Sequence, residues 1–279
     1  MKIRVIKKKA DNIYIRNRKM IIPEFFFIGY MSLLAQYLHS GLFSFFVSLF
    51  LCPIAHGYVY CSMKLVDNEN ASIDYHDSMI GIIDFTRVAP TYLIRKGMIL
   101  LITLICALPS LYSLLQYIPF LSIEWFASLG NAFIQTEFFV PDFYDIPQLT
   151  QNGLALINLL LCIFVYLFLT ALLMPMPYIM EKDEFSWSEC LITSLKVMNK
   201  HIIDYFKLYF IYALRHALYW LLTGTVIMII GSVNSIWMLL WMVASLFIYI
   251  ELYRGRFEIA KYLFYEEIRK QYEKKYRRD

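Results

Sequence analysis

From Gly97 to Met180 the chain has no Lys and no Arg, although it carries 26 of them elsewhere. Acids are present in the same stretch, at Glu124, Glu137, Asp142 and Asp145. Basic residues return at Arg95-Lys96 on one side and Lys182 on the other. Cationic side chains resist translocation across a bilayer. A stretch that keeps its acids but excludes its cations therefore reads as one that enters the membrane, crosses the far side and comes back. Charge is scarce throughout, at 17% of residues against 59% hydrophobic. A soluble domain carries about a quarter charged and about 45–50% apolar residues. The apolar runs approach the roughly 20 residues that cross the hydrocarbon core, so the composition points to an integral membrane protein.

Other absences narrow the function. There is no His-Glu-x-x-His pattern and no phosphate-cradling glycine loop, which argues against an enzyme and against a bound cofactor. The five cysteines, Cys52, Cys61, Cys106, Cys162 and Cys190, lack metal-type spacing. They read as small buried hydrophobes, with no metal expected. No nucleic-acid motif accompanies the basic charge. No small-residue cleavage site follows the basic N-terminal residues, so no cleaved leader is expected.

The segments that are present predict an all-α, polytopic fold with six spans at about 22–38, 42–63, 97–117, 154–178, 205–230 and 236–253, both ends facing the cytoplasm. Residues 1–20 read as a basic cytoplasmic arm lying against the headgroups, 21–253 as the membrane domain, and 254–279 as a basic cytoplasmic helix. Pro23 falls at the first turn of the first span, where a missing N–H is tolerated. Pro109 interrupts the third span and predicts a kink. The aromatic-rich residues 118–152 read as an external, flat interfacial segment rather than a further span. Residues 72–87 carry a weak amphipathic pattern. Ser186-Trp-Ser-Glu189 is a capping box that starts an inner-surface helix, with Trp187, Leu191, Leu195, Met198 and Ile202 at helical spacing.

Nine basic residues lie between Arg254 and Arg278. Phe257, Ala260, Phe264 and Ile268 form one stripe there, and Glu266 and Lys270 are spaced as an i,i+4 pair. This segment reads either as a solvated helix or as a dock for anionic lipid headgroups or a protein partner. A loose internal repeat relates Pro53…Tyr58 to Pro175…Tyr178, each followed by acids, an inner helix and a return span. Such repeats recur in transporters.

Ionisable residues inside the spans are the candidate sites. Arg215 lies eight residues past Lys207, roughly 12 Å of helix rise, and His216 is beside it. Unpaired arginine at depth costs at least about 2.5 kcal/mol. Equal counts from the hairpin turn near Val233 set Arg215 level with Glu251. Equal counts from Ser40 set Glu24 level with His56. These predict two polar pairs, either a cytoplasm-facing pocket for a proton or an anionic ligand, or structural ion pairs that fix helix register. Tyr212 and Tyr219 also offer Arg215 their ring faces.

The second half resembles a family of bacterial multi-pass membrane proteins, common in Firmicutes, catalogued as domain of unknown function nine-seven-five. The resemblance rests on Pro177-Tyr178-Ile-Met-Glu-Lys-Asp183, Ser186…Glu189-Cys-Leu191…Ser194…Met198, Phe206-Lys-Leu208, Trp220, Leu222-Thr-Gly224 and Ala260…Phe264-Tyr265-Glu266. Ile248-Tyr249 stands where the family has Pro-Tyr, and Asn199 where it has glycine. The resemblance implies a six-span protein of a Gram-positive plasma membrane and assigns no activity or site residue. The expected role is a non-enzymatic accessory or interaction protein bound to lipid. The alternative is a small-solute or ion transporter with its pocket around Arg215.

Overall fold

In the computed structural model the basic arm does not end where the apolar run begins. Residues 3–37, 51–68, 71–117, 153–230 and 235–276 are described, and among them every regular element is helical, with no strand. Helix α1 spans Ile3–Tyr37. A 3-10 turn, Cys52–Ala55, leads into α2, His56–Asp67. Two single turns follow, α3 at Tyr75–Ser78 and α4 at Ile80–Ile83. Next come α5 (Phe85–Tyr117), α6 (Gly153–Leu172), α7 (Met176–Asp183) and α8 (Trp187–Met198). The chain closes through α9 (Ile202–Ile230), α10 (Ser235–Tyr249), a π-helical turn at Ile250–Arg254, and α11 (Gly255–Tyr276).

The division into arm, membrane domain and tail is corrected. Ile3, Ile6, Ala10, Tyr14, Asn17, Ile21, Phe25 and Ile28 are all buried. Each is three or four residues from the next, which winds one continuous seam along a helix. That seam crosses the expected boundary at residue 20 and lies along α11. Pro23 is accordingly inside a helix rather than at its first turn. The basic tail is corrected further. Every residue from Phe257 to Tyr265 is buried, so this part of α11 is neither a solvated helix nor a free docking surface. It is enclosed by α1, α2, α8 and α9.

The third helix starts at Phe85, twelve residues before the expected 97, and it continues through Pro109. The weak amphipathic pattern at 72–87 becomes the short turns α3 and α4, the first of them opened by an Asp74–Asp77 capping box. The capping box at Ser186 forms as expected: the Ser186 N–H and hydroxyl donate to Glu189 at 2.9 and 2.7 Å. The buried face of α8 is rotated from the expected stripe, however. Cys190, Ser194, Val197 and Met198 face inward, whereas Trp187 and Leu195 are exposed. The external turn at 39–41, the segment 118–152 and the turn near Val233 lie outside the described residues.

Two helical stretches, Phe85–Leu108 and Ile157–Asp183, are long and apolar enough to cross a membrane. They contribute to a belt of exposed large apolar side chains: Leu101 and Ile105 on α5, Leu160 and Phe164 on α6, Phe210, Leu214 and Leu221 on α9, and Leu240 and Phe247 on α10. Exposed apolar area on this scale marks contact with lipid or another protein. At the other end, α2 crosses α3 and α4 backbone to backbone. A Cβ at Gly57 would sit 2.1 Å from the Ser78 carbonyl oxygen, and one at Gly81 would sit 2.0 Å from that of Pro53.

Gly57→Ala is therefore expected to destabilise the protein by about 1–3 kcal/mol or more, since inserted volume forces backbone shifts. Gly224→Ala, whose Cβ meets nothing within 4 Å, is the matched control and leaves the detergent-solubilised melting temperature unchanged or raised.

Candidate functional site

Three consecutive charges at the end of α7 reach five partners on three helices. Glu181 accepts from His56 Nε2 at 3.0 Å and from Arg87 Nη2 at 3.0 Å. Lys182 pairs with Glu266 at 2.5 Å and lies 3.6 Å from Asp67. Asp183 accepts from Arg269 Nη2 at 2.7 Å. Successive helical residues point about 100° apart, so this run staples α7 to α2, α5 and α11 at once. The left-handed Glu184 (φ 52°) then ends the helix.

An aromatic layer lies beside these charges. The Tyr178 ring stacks on Tyr265 with centroids 5.3 Å apart and contacts Tyr262 at 5.5 Å. The Tyr262 hydroxyl donates to Asp67 at 2.6 and 2.8 Å, and it is 3.3 Å from Glu266. Burial, followed by the bond to Asp67 and the charge of Glu266, pushes the Tyr262 phenol above its ordinary value. Burial likewise raises Tyr265. Pro177–Asp183 and Phe264–Glu266 are thus the two faces of one joint.

A second charge group joins α11 to the π turn before it. Glu258, 1% exposed, is held 2.7 Å from Arg254 and 3.0 Å from Lys261. Arg254 lies over the Tyr58 ring at 4.4 Å. Tyr58 in turn donates to the Phe25 carbonyl at 3.2 Å, which ties α2 and α11 to α1.

The predicted pairs do not form, and α1 is the reason. Glu251 accepts from Tyr14 at 2.5 Å and from Arg18 at 3.0 Å. Arg215 reaches Asp11 at 3.5 Å, with Arg256 3.9 Å from the same carboxylate. Equal counting says nothing of direction around the helix axis. It also assumes regular α-helix on both sides, whereas Ile250–Arg254, which includes Glu251, is a π-helical turn. Burial, then the bond to Glu251, pushes the Tyr14 phenol upward. The second pair is also replaced. His56 is 0% exposed and lies between Tyr92 at 3.2 Å and Glu181 at 3.0 Å. Glu24 is half-buried on α1 and makes no hydrogen bond to His56 among the described residues. His216 accepts from Trp220 Nε1 at 2.8 Å and lies against the Tyr253 ring at 4.6 Å. Arg215 does face the Tyr212 ring, at 5.8 Å.

Asp11, Tyr14, Arg18, Asp67, Glu181 and Tyr262 were missed as partners. The three on α1 carried a signal, because they fall on or beside the three-four seam. The others are set by tertiary contact alone. Among the described residues no group of three or more His, Cys, Asp or Glu is gathered to hold a metal, and all five cysteines are free.

Tyr262→Phe removes the donor shared by Asp67 and Glu266 and is expected to lower stability by about 1.5–3 kcal/mol, the range for bonds to charged groups. A phenol held above its ordinary value stabilises the fold fully below pH about 10 and loses that contribution as pH rises through the raised value. Melting curves from neutral to alkaline pH are thus expected to fall less steeply for the variant. Lys182→Glu and Glu266→Lys are each expected to destabilise, and the double reversal to recover part of the loss in a double-mutant cycle. Scans against protein-family models, curated proteins and solved structures found no match to this chain.

Proposed function

We propose that this chain is a six-span protein of a Gram-positive plasma membrane that acts as a non-enzymatic platform, with a helical cytoplasmic base locked to its transmembrane bundle. The observation that carries this reading is the polarity of the molecule. A belt of exposed apolar side chains on α5, α6, α9 and α10 gives way to a base of linked ion pairs around α11. A bilayer solvates the first and the cytoplasm the second. The basic arm and tail residues belong to the same end, in keeping with the positive-inside rule. The likeness of Pro177–Asp183 and Phe264–Glu266 to the uncharacterised bacterial membrane family supports the same span count.

The transporter reading centres on a polar pocket at Arg215. Asp11 and the Tyr212 ring take up that guanidinium, which favours a register-fixing role over a ligand-binding one. A platform of this kind presents its exposed, unburied faces to a partner: the Trp187–Leu195 side of α8 is the clearest example.

Topology is tested by single cysteines in a cysteine-free background. Cysteine at position 270 or 200 is expected to react with a membrane-permeant maleimide only, and cysteine at position 143 with an impermeant one in intact cells. Labelling of position 270 from outside intact cells would overturn the proposal.

A further inference from the structure

The arm carries a second stripe besides its buried seam. Arg4, Lys7, Lys8, Asp11 and Asn12 follow one another at helical spacing on one face of α1. With Ile211 of α9 they line a cleft of about 540 Å³. Asp11 turns its carboxylate to Arg215 and Arg256. Among the described residues no ion pair or hydrogen bond engages the side chains of Arg4, Lys7 or Lys8, and Arg4 and Lys8 are exposed. The cleft thus presents three uncompensated cations beside a neutralised acid.

Its place on α9 identifies what would fill it. Ile211 lies one turn after Lys207, which is exposed, and one turn before Arg215. Its neighbours Phe210 and Leu214 are 70% and 68% exposed. The cleft therefore has cations of α1 on one wall and Ile211 of α9 on the other, next to the exposed apolar side chains Phe210 and Leu214. A ligand matched to both is a phosphate group attached to a hydrocarbon tail.

We infer that this cleft binds the phosphodiester of an anionic phospholipid of the inner leaflet, with Arg4, Lys7 and Lys8 holding the phosphate and Ile211 and Leu214 flanking the acyl chains. The inference rests on the topology proposed above, which sets the arm in the cytoplasmic leaflet. It goes further in naming one site rather than a diffuse attraction between basic termini and lipid. A free phosphate would use the same cations but gains nothing from the apolar wall.

The test uses the full-length protein in detergent, with binding of phosphatidylglycerol read by native mass spectrometry and by a fluorescent phosphatidylglycerol analogue. Wild type is expected to retain phosphatidylglycerol in preference to phosphatidylcholine. The triple variant Arg4→Gln, Lys7→Gln, Lys8→Gln is expected to weaken it roughly tenfold or more, since each cation near the surface adds attraction to anionic lipid. Lys196→Gln, Lys200→Gln, Lys274→Gln removes the same charge elsewhere and is expected to bind as wild type. Equal loss in both triple variants would reduce the effect to surface charge and overturn the site. Displacement of the lipid by millimolar inorganic phosphate or glycerol phosphate would overturn it in favour of a soluble anion. Resistance of the triple variant to alkaline extraction from membranes, with position 270 still inward, separates a failed lipid site from a failed topology.

Discussion

A helix that bears Glu258, Lys261 and Glu266 can be enclosed only if each charge meets an opposite one. Removing an ion from water costs several kcal/mol even after relaxation, and an uncompensated one is expelled or neutralised. The α11 helix meets this demand twice. At its start, Arg254 of the π turn and Lys261 flank Glu258. Across to α7, Glu266 meets Lys182 and Arg269 meets Asp183. These requirements are geometric. Shifting the register of α7 on α11 by one residue would turn its charges about 100° and leave several partly buried ions alone. Burial of α11 therefore sets the register of the elements around it, α1 included through Tyr58 and Phe25.

Tyrosine manages the change from ionic base to apolar belt. Tyr178, Tyr262 and Tyr265 form one layer beside the α7 charges. Tyr219, Tyr249, Tyr253 and Phe257 form another further along α9 and α10, with His216 against it. A phenol has an apolar body and a polar tip, so it is at home at a boundary. Tyr14 and Tyr262 use their tips on carboxylates, while their rings fill core volume. These buried aromatic layers lie between the ion pairs around α11 and the helices that carry the exposed apolar side chains.

The helical class was legible in the length and periodicity of the apolar runs, and the start of α8 in its capping box, because both are local. The contacts of α11 were not. Its stripe at Phe257, Ala260, Phe264 and Ile268 was visible, but its charges suggested water on the other faces. Glu258 and Lys261 are compensated locally, but Glu266, Arg269 and the Tyr262 hydroxyl are met by Lys182, Asp183 and Asp67, brought from 84 or more residues away. The arm was misread differently. Its many cations hid a seam at Ile3, Ile6, Ala10, Tyr14 and Asn17 that continues to Ile28 with unbroken spacing. For Arg215, Glu251, Glu24 and His56, equal counting from hairpin turns could not give direction around the helix axis, and the π turn before α11 departs from the regularity that such counting assumes.

The order of the chain makes the position of α11 consequential. This helix is translated after all the apolar helices described, yet Asp67, Lys182 and Asp183 have their partners on it. Until residues 255–276 exist, those three side chains have no counterpart on α11, so the arrangement of the charged base waits on the last helix described. A polypeptide cut short before residue 255 would keep its apolar helices and lose the scaffold that aligns them.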